Sequence, residues 1–393
     1  MEIKHHSMKI LILSFYFPPD LSAGSFRVGQ LVSALSKESN PEVFIEVIST
    51  LPNRYNTYRP KKIEDHYNDN VKIHRIKLPS HKSGMLDQAI AFLYFVKEVF
   101  KVTRHKKYEL VFASSSRLMT AALGAAVSKK SKSRLHLDIR DIFVDTIYDT
   151  VKKKFFIRCL LPILKFMENW TYSAADEINV VSKGFVDHIS NISPKSTISS
   201  FTNGIDKEFL EHDFTQKSAN QKLLITYAGN FGESQGLQYI IPYVASAIKD
   251  FAQIKLIGDG GKKKELIKAI KDLRVSNVEI CNPMTRDSLL IEYAKSDILF
   301  FCLNDKDTFL KVLPSKLFEY AATGKPILAG VSGYAADFIK KNVSGCEIFP
   351  PGDVEMMIEK ISLLIATPKI YNREKFKKKF SREEIMHDYA KNY

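Results

Sequence analysis

Leu313-Pro-Ser-Lys-Leu-Phe-Glu-Tyr-Ala-Ala-Thr-Gly-Lys-Pro-Ile-Leu328 decides how this chain is read. Pro314 and Ser315 can open a short helix whose first backbone N–H groups lack intrahelical partners. Such an end attracts an anion through its unpaired donors and the helix dipole. Lys316 adds a full positive charge, so that Pro314, Ser315, Lys316 and Leu317 form a candidate phosphate-binding segment. Glu319 follows Lys316 by about 4.5 Å along the axis at ~1.5 Å per residue, where a carboxylate can accept two hydroxyl hydrogen bonds from a ribose. Gly324-Lys325-Pro326 then ends the helix, and Ile327 begins a strand.

Outward from this segment, strands alternate with helices along the chain. Residues 9–15, Lys-Ile-Leu-Ile-Leu-Ser-Phe, are a continuous apolar run of the kind found in a parallel strand covered on both faces. A Pro18-Pro19 turn and Gly24 lead from it to a helix over 26–37. Further short strands are expected at 43–49, 71–76, 110–113, 134–138 and 176–182, with helices at 86–103, 118–129 and 184–191. The pattern restarts at 223–228, and strands recur at 254–257, 278–280, 298–302, 326–329 and 346–349. The fold class is therefore α/β, with two Rossmann-like, doubly wound parallel-sheet domains. The polar stretch 193–200 and the loop after Asn203-Gly204 mark a crossing. The expected division is 1–200, 201–370 and a C-terminal segment 371–393.

Composition bounds the reading. A length of 393 residues suits two domains, and 45% apolar with 26% charged residues is globular rather than disordered. The 58 basic against 44 acidic residues leave +14, which favours anionic partners. Four dispersed cysteines suggest neither a zinc site nor a disulfide framework, and fit a reducing cytoplasm. The first residues lack the order of a signal peptide, and no run reaches the ~18 apolar residues of a spanning helix. No helix-turn-helix, zinc or RNA-binding signature accompanies the charge, so nucleic acid is not an expected partner. Asp305-Lys-Asp307 could hold a divalent ion, but three-residue matches arise by chance, and no metal site is expected.

The string around Glu319 resembles the donor-site signature of retaining glycosyltransferases of family four, which have the GT-B fold. The similarity is greatest to the bacterial polysaccharide, fucosamine-transferase-like branch, which reads Pro-Ser-Lys-(Leu/Ile)-(Phe/Tyr)-Glu. Other pieces fall in the family's order: Phe17-Pro-Pro-Asp-Leu-Ser-Ala-Gly24, Asp138-Ile-Arg-Asp141, Ala174 to Ser182, Thr202-Asn-Gly-Ile-Asp206, Tyr227-Ala-Gly-Asn-Phe-Gly232 and Ile257-Gly-Asp-Gly260. The resemblance implies that Glu319 holds the donor ribose and that the amides before it hold a pyrophosphate. It also implies that Gly258 and Asp259 border the base, that the two domains face a cleft, and that the tail returns to the N-terminal domain.

Strand ends carry the remaining candidates, because open parallel sheets bind ligands beyond their carboxyl ends. Gly24 lets a phosphate or sugar approach the backbone, or simply makes a tight turn. Gly229 and Asn230 open the corresponding position in the second half. The resembling family has an arginine after that glycine and a lysine five residues later, where this chain has Asn230 and Gln235. It also has a glutamate eight positions before the ribose glutamate, where this chain has Lys311. Lys316, with Arg286 second, is expected to supply the missing positive charge. Arg140 and Asp141 close a strand of the first domain and are candidate catalytic residues, Arg140 standing where the family often has histidine.

Residues 82–107 and 151–167 mix leucine and aromatic residues with lysines, as helices lying on an anionic membrane surface do, each basic residue adding about 1 kcal/mol. The expected activity is transfer of a sugar from a UDP-sugar co-substrate to a polyprenyl-diphosphate-linked saccharide in O-antigen or capsule synthesis, with an N-acetylated amino-deoxy sugar as one option. The enzyme would be cytoplasmic, on the inner face of the bacterial plasma membrane, and would need no other cofactor. A silent nucleotide-sugar-binding scaffold and a UDP-sugar epimerase remain alternatives.

Overall fold

The computed structural model describes residues 8–38, 43–53, 67–79, 85–115, 118–145, 155–215, 222–366 and 370–393. The first elements are β1 (Lys9–Leu13), α1 (Ala23–Glu38), β2 (Phe44–Thr50), β3 (Val71–Ile76), α2 (Met85–Thr103), β4 (Leu110–Ser114), α3 (Leu118–Ser131), β5 (Arg134–Ile139), α4 (Phe155–Ser173), β6 (Glu177–Val180), α5 (Val186–Ile192) and β7 (Thr197–Ser199). They are followed by α6 (Lys207–Glu211), β8 (Leu223–Asn230), α7 (Leu237–Ile248), β9 (Ala252–Asp259), α8 (Lys263–Asp272), β10 (Val278–Cys281), α9 (Arg286–Lys295) and β11 (Ile298–Cys302). The last are α10 (Lys316–Ala322), β12 (Ile327–Gly330), α11 (Tyr334–Asn342), β13 (Cys346–Phe349), α12 (Val354–Ile365), α13 (Glu374–Lys379) and α14 (Arg382–Ala390).

Two units form: Met1–Asn203 with Arg382–Tyr393, and Gly204–Ser381. The divisions at 203/204 and 381/382 differ from 200/201 and 370/371. One cause is β7, hidden in the polar stretch 193–200, where Ile198 pairs with Ile178 and extends the first sheet. The other lies after residue 370. Tyr371 N donates to Gly324 O at 2.8 Å and buried Arg373 bonds carbonyls around β12 and β13, so that α13 stays with the second unit.

The first unit holds a seven-stranded parallel sheet in the order β3-β2-β1-β4-β5-β6-β7. Its strand order reverses between β1 and β4, which places α1 and the turn before it at a topological switch point. Ile10, Ile12, Val28, Leu31, Val47 and Phe112 build the core with Met386 and Tyr389 of α14. Each such aliphatic side chain contributes roughly 1.5–3 kcal/mol by burial. One ion pair is sunk into that core. Asp138 accepts from Arg27 Nε at 3.0 Å and Nη2 at 2.9 Å, and from Asn179 Nδ2 at 2.7 Å.

The second unit has a six-stranded parallel sheet, β10-β9-β8-β11-β12-β13, whose order reverses between β8 and β11. Helix α10 is core on nearly every side: Leu317, Phe318, Tyr320, Ala321 and Ala322 are all buried. The Tyr320 hydroxyl accepts from Ala228 N at 3.0 Å and ties α10 to the end of β8. Gly324, at φ +73°, ends the helix in the left-handed region, where a Cβ would meet Tyr371 O at 2.9 Å.

Candidate active site

In the second unit the candidate residues gather at the carboxyl ends of β8 and β9 and at the start of α10. Gly229 and Asn230 end β8, and Gly258 and Asp259 end β9 directly beside them in register. Gly258 has φ +154°, and a Cβ there would run into the Gly229 carbonyl oxygen. Only glycine lets the two strand ends approach this closely. Asp259 Oδ1 accepts from Gly260 N at 2.9 Å, which holds the turn after β9.

Asn230 at the end of β8 and Gln235 in the loop after it bond each other. Asn230 Nδ2 donates to Gln235 Oε1 at 3.3 Å, and Gly232 N donates to the same oxygen at 3.2 Å. This amide pair shapes the loop after β8 without adding charge.

Ser315 caps α10 in helical conformation, and its hydroxyl makes no capping bond. Leu317 contributes no side chain to the site: it lies in the core, and its N–H donates to Pro314 O at 3.2 Å. Glu319 is 7% exposed and carries an ion pair on each oxygen. Oε1 accepts from Arg286 Nη1 at 3.0 Å, and Oε2 accepts from Lys316 Nζ at 2.8 Å. The same guanidinium pairs through Nη2 with Asp206, and its carbon lies 5.0 Å from the centre of the Phe209 ring. Burial draws the Lys316 ammonium down, but the Glu319 carboxylate outweighs burial and holds its pKa above the ordinary lysine value.

Lys316 and Arg286, expected to face a phosphate, are thus both engaged with Glu319, and the four-residue cluster is charge-balanced. Each Glu319 oxygen thus faces a cation, one from α9 and one from its own helix. The two cations fix its direction. Asp206, absent from the candidates, joins the cluster from a point far off in sequence. Only its place in Thr202-Asn-Gly-Ile-Asp206 singled it out.

In the first unit two candidates meet. Arg140 Nη1 donates to Ala23 O at 3.2 Å, and a Cβ on Gly24 would stand 3.3 Å from that nitrogen. Burial pulls the Arg140 guanidinium down to about 10, against the attraction of Asp138, so it stays charged at neutral pH. Asp138 itself is held by Arg27, which leaves Arg140 at the strand end beside half-buried Asp141. Sequence reasoning did not find Arg27, since one arginine on a helix carries no signal.

The segments expected at a membrane lie on α2 and α4. Leu93 is 64%, Ile163 61% and Phe166 72% exposed, while Phe92, Phe95 and Val99 point into the core. Lys97 and Lys101 are exposed along α2, and Lys165 on α4. Lys152, Lys153 and Lys154 lie outside the described residues. Among the described residues no helix is long and apolar enough to cross a membrane.

Sucrose-phosphate synthase from Thermosynechococcus elongatus superposes with a TM-score of 0.72 at 13% identity, over 98% of both chains. Anabaena HepE in complex with UDP and glucose gives 0.64 at 15% identity, over 98% of this chain and 95% of that one. The lipopolysaccharide outer core galactosyltransferase WaaB gives 0.62 at 13% identity, over 98% of both. These likenesses establish the GT-B fold. In sequence, the putative colanic acid biosynthesis glycosyl transferase WcaI of Escherichia coli (strain K12) is 26% identical over 180 residues, which are 43% of this chain and 42% of that protein's length. Residues 208–382, nearly the whole second unit and all of the Arg286–Glu319–Lys316 cluster, match the family described as glycosyl transferases group 1.

Proposed function

We propose that this protein is a retaining glycosyltransferase that takes a sugar from a UDP-sugar and places it on a polyprenyl-diphosphate-linked saccharide in bacterial surface-polysaccharide synthesis. One observation carries the reading: a buried carboxylate, Glu319, is held between two cations inside the segment that matches group 1 glycosyl transferases. Glu319 takes the ribose hydroxyls. The segment Pro314–Lys316 takes the diphosphate, with Lys316 shared between the carboxylate and the phosphate. The bond from the sugar's anomeric carbon to the diphosphate oxygen breaks while the acceptor oxygen bonds that carbon from the same face. The acceptor's proton leaves with the departing phosphate. Gly24, Arg140 and Asp141 serve the acceptor side. The exposed apolar faces of α2 and α4, with their lysines, rest on the anionic inner face of the plasma membrane.

A non-catalytic nucleotide-sugar-binding scaffold is the second reading, favoured by the uncharged Asn230–Gln235 pair and by Lys311. Incubation with labelled UDP-sugars and a polyprenyl-diphosphate-linked acceptor separates the two. Transfer of label to lipid supports the enzyme, nucleotide binding without turnover supports the scaffold, and an isomerised donor marks an epimerase. Failure to bind any uridine nucleotide would remove the proposal altogether.

A further inference from the structure

A second basic site stands in the same unit, apart from the Glu319 cluster. The end of α11 and the start of α13 border an open hollow of about 680 Å³, within the size range of small-molecule pockets. Lys340, Lys341, Lys375 and Arg373 line it, and its one acidic lining residue, Glu374, has Oε1 held by Lys377 Nζ at 2.9 Å.

Arg373 is the telling residue. It is buried, and all its hydrogen bonds go to backbone carbonyls: Nε to Ser344 O at 2.8 Å, Nη1 to Lys325 O at 3.0 Å and Ala321 O at 3.4 Å, Nη2 to Gly345 O at 3.2 Å. Among the described residues no carboxylate pairs with it. A guanidinium has five N–H donors, so four bonds leave one over. Four carbonyl dipoles and the Tyr371 ring, 5.5 Å from the guanidinium carbon, offset this charge without neutralising it, and an anion in the hollow it lines would complete the compensation. The walls are firm. Phe376 and Phe380 lie 4.6 Å apart, and Phe380 packs on Phe318 of α10 at 5.5 Å and on Phe338 of α11 at 5.4 Å.

We propose that this hollow binds a phosphate-bearing anion, with Arg373 as its buried anchor and Lys340, Lys341 and Lys375 as its neutralising rim. The volume exceeds that of one phosphate and admits a diphosphate or a phosphate with part of its ester. Such an anion comes either free or as the headgroup of an anionic lipid.

The test compares the full chain with the triple variant Lys340→Glu/Lys341→Glu/Lys375→Glu, which alters exposed side chains and should fold. A single Lys375→Glu variant stands in reserve. Inorganic pyrophosphate is titrated calorimetrically, and vesicles of phosphatidylcholine with and without phosphatidylglycerol are sedimented with the protein. At least about tenfold weaker pyrophosphate binding in the triple variant supports a free anion, since charge-assisted contacts are the strong ones. Loss of binding to phosphatidylglycerol vesicles alone supports a headgroup. A wild-type chain that binds neither probe, or a variant equal to wild type on both, overturns the site.

Discussion

Arg286 joins Glu319 to Asp206: Nη1 donates to Glu319 Oε1 at 3.0 Å, while Nη2 pairs with the Asp206 carboxylate. The glutamate proposed to grip a ribose is therefore oriented before any ligand arrives. Its second oxygen, on Lys316 at 2.8 Å, couples that grip to the positive charge nearest the proposed phosphate position. This coupling makes several outcomes measurable.

Glu319→Gln removes the charge that holds Lys316 but keeps the side chain's size. UDP binding should weaken roughly tenfold or more, because a hydrogen bond to a charged group contributes about 1.5–3 kcal/mol. The preference for UDP over 2′-deoxy-UDP should vanish, while pyrophosphate binds no worse. Calorimetry showing the same preference in both proteins would remove the ribose contact.

Arg286→Met leaves two buried carboxylates short of a partner. Breaking such a pair costs about 3 kcal/mol, so protection of the α10 amides against hydrogen exchange should fall roughly a hundredfold. Arg286→Lys, without a fork to bridge two acids, should recover only part of it. Unchanged exchange would show that α10 is held by its apolar contacts alone.

Gly258→Ala forces a Cβ onto the Gly229 carbonyl at a backbone angle that suits glycine. We expect a loss of about 2 kcal/mol or more and of nucleotide binding together, since β8 and β9 must part at their ends. Full affinity in a crystal structure with unmoved strand ends would falsify the role given to this glycine.

Asp138 reports on acid stability. Burial alone would lift its pKa, but Arg27, helped by the Asn179 bond, holds it below the ordinary carboxylate value. A depressed folded pKa gives stability that is complete above the unfolded value near about 4 and is lost as pH falls through the folded one. Asp138→Asn should cost about 3–5 kcal/mol at pH 7, and the gap to wild type in urea midpoint should narrow below about pH 4. A gap that stays constant into strong acid would contradict the ion pair.

Much of this was legible because it is local. β3, β11 and β13 could be read to the residue from apolar runs between turn signals, and Pro314 to Glu319 from a helix start followed by an acid. What escaped were partners distant along the chain. Arg27 meets Asp138 across 111 residues, and Arg373 reaches Ala321 across 52. β7 was lost because three residues in a polar stretch become a strand only when β6 lies alongside.

The sequence by itself determined two α/β halves, the strand-end glycines and the helix that carries Glu319, since periodicity, glycine conformation and capping act between near neighbours. The tertiary structure alone decided which charges meet: that Lys316 and Arg286 share Glu319, that Asn230 bonds Gln235, and that Arg373 is buried among carbonyls. Ion pairs and hydrogen bonds depend on distances of a few ångströms, and only the packed fold sets those distances between residues far apart in the chain.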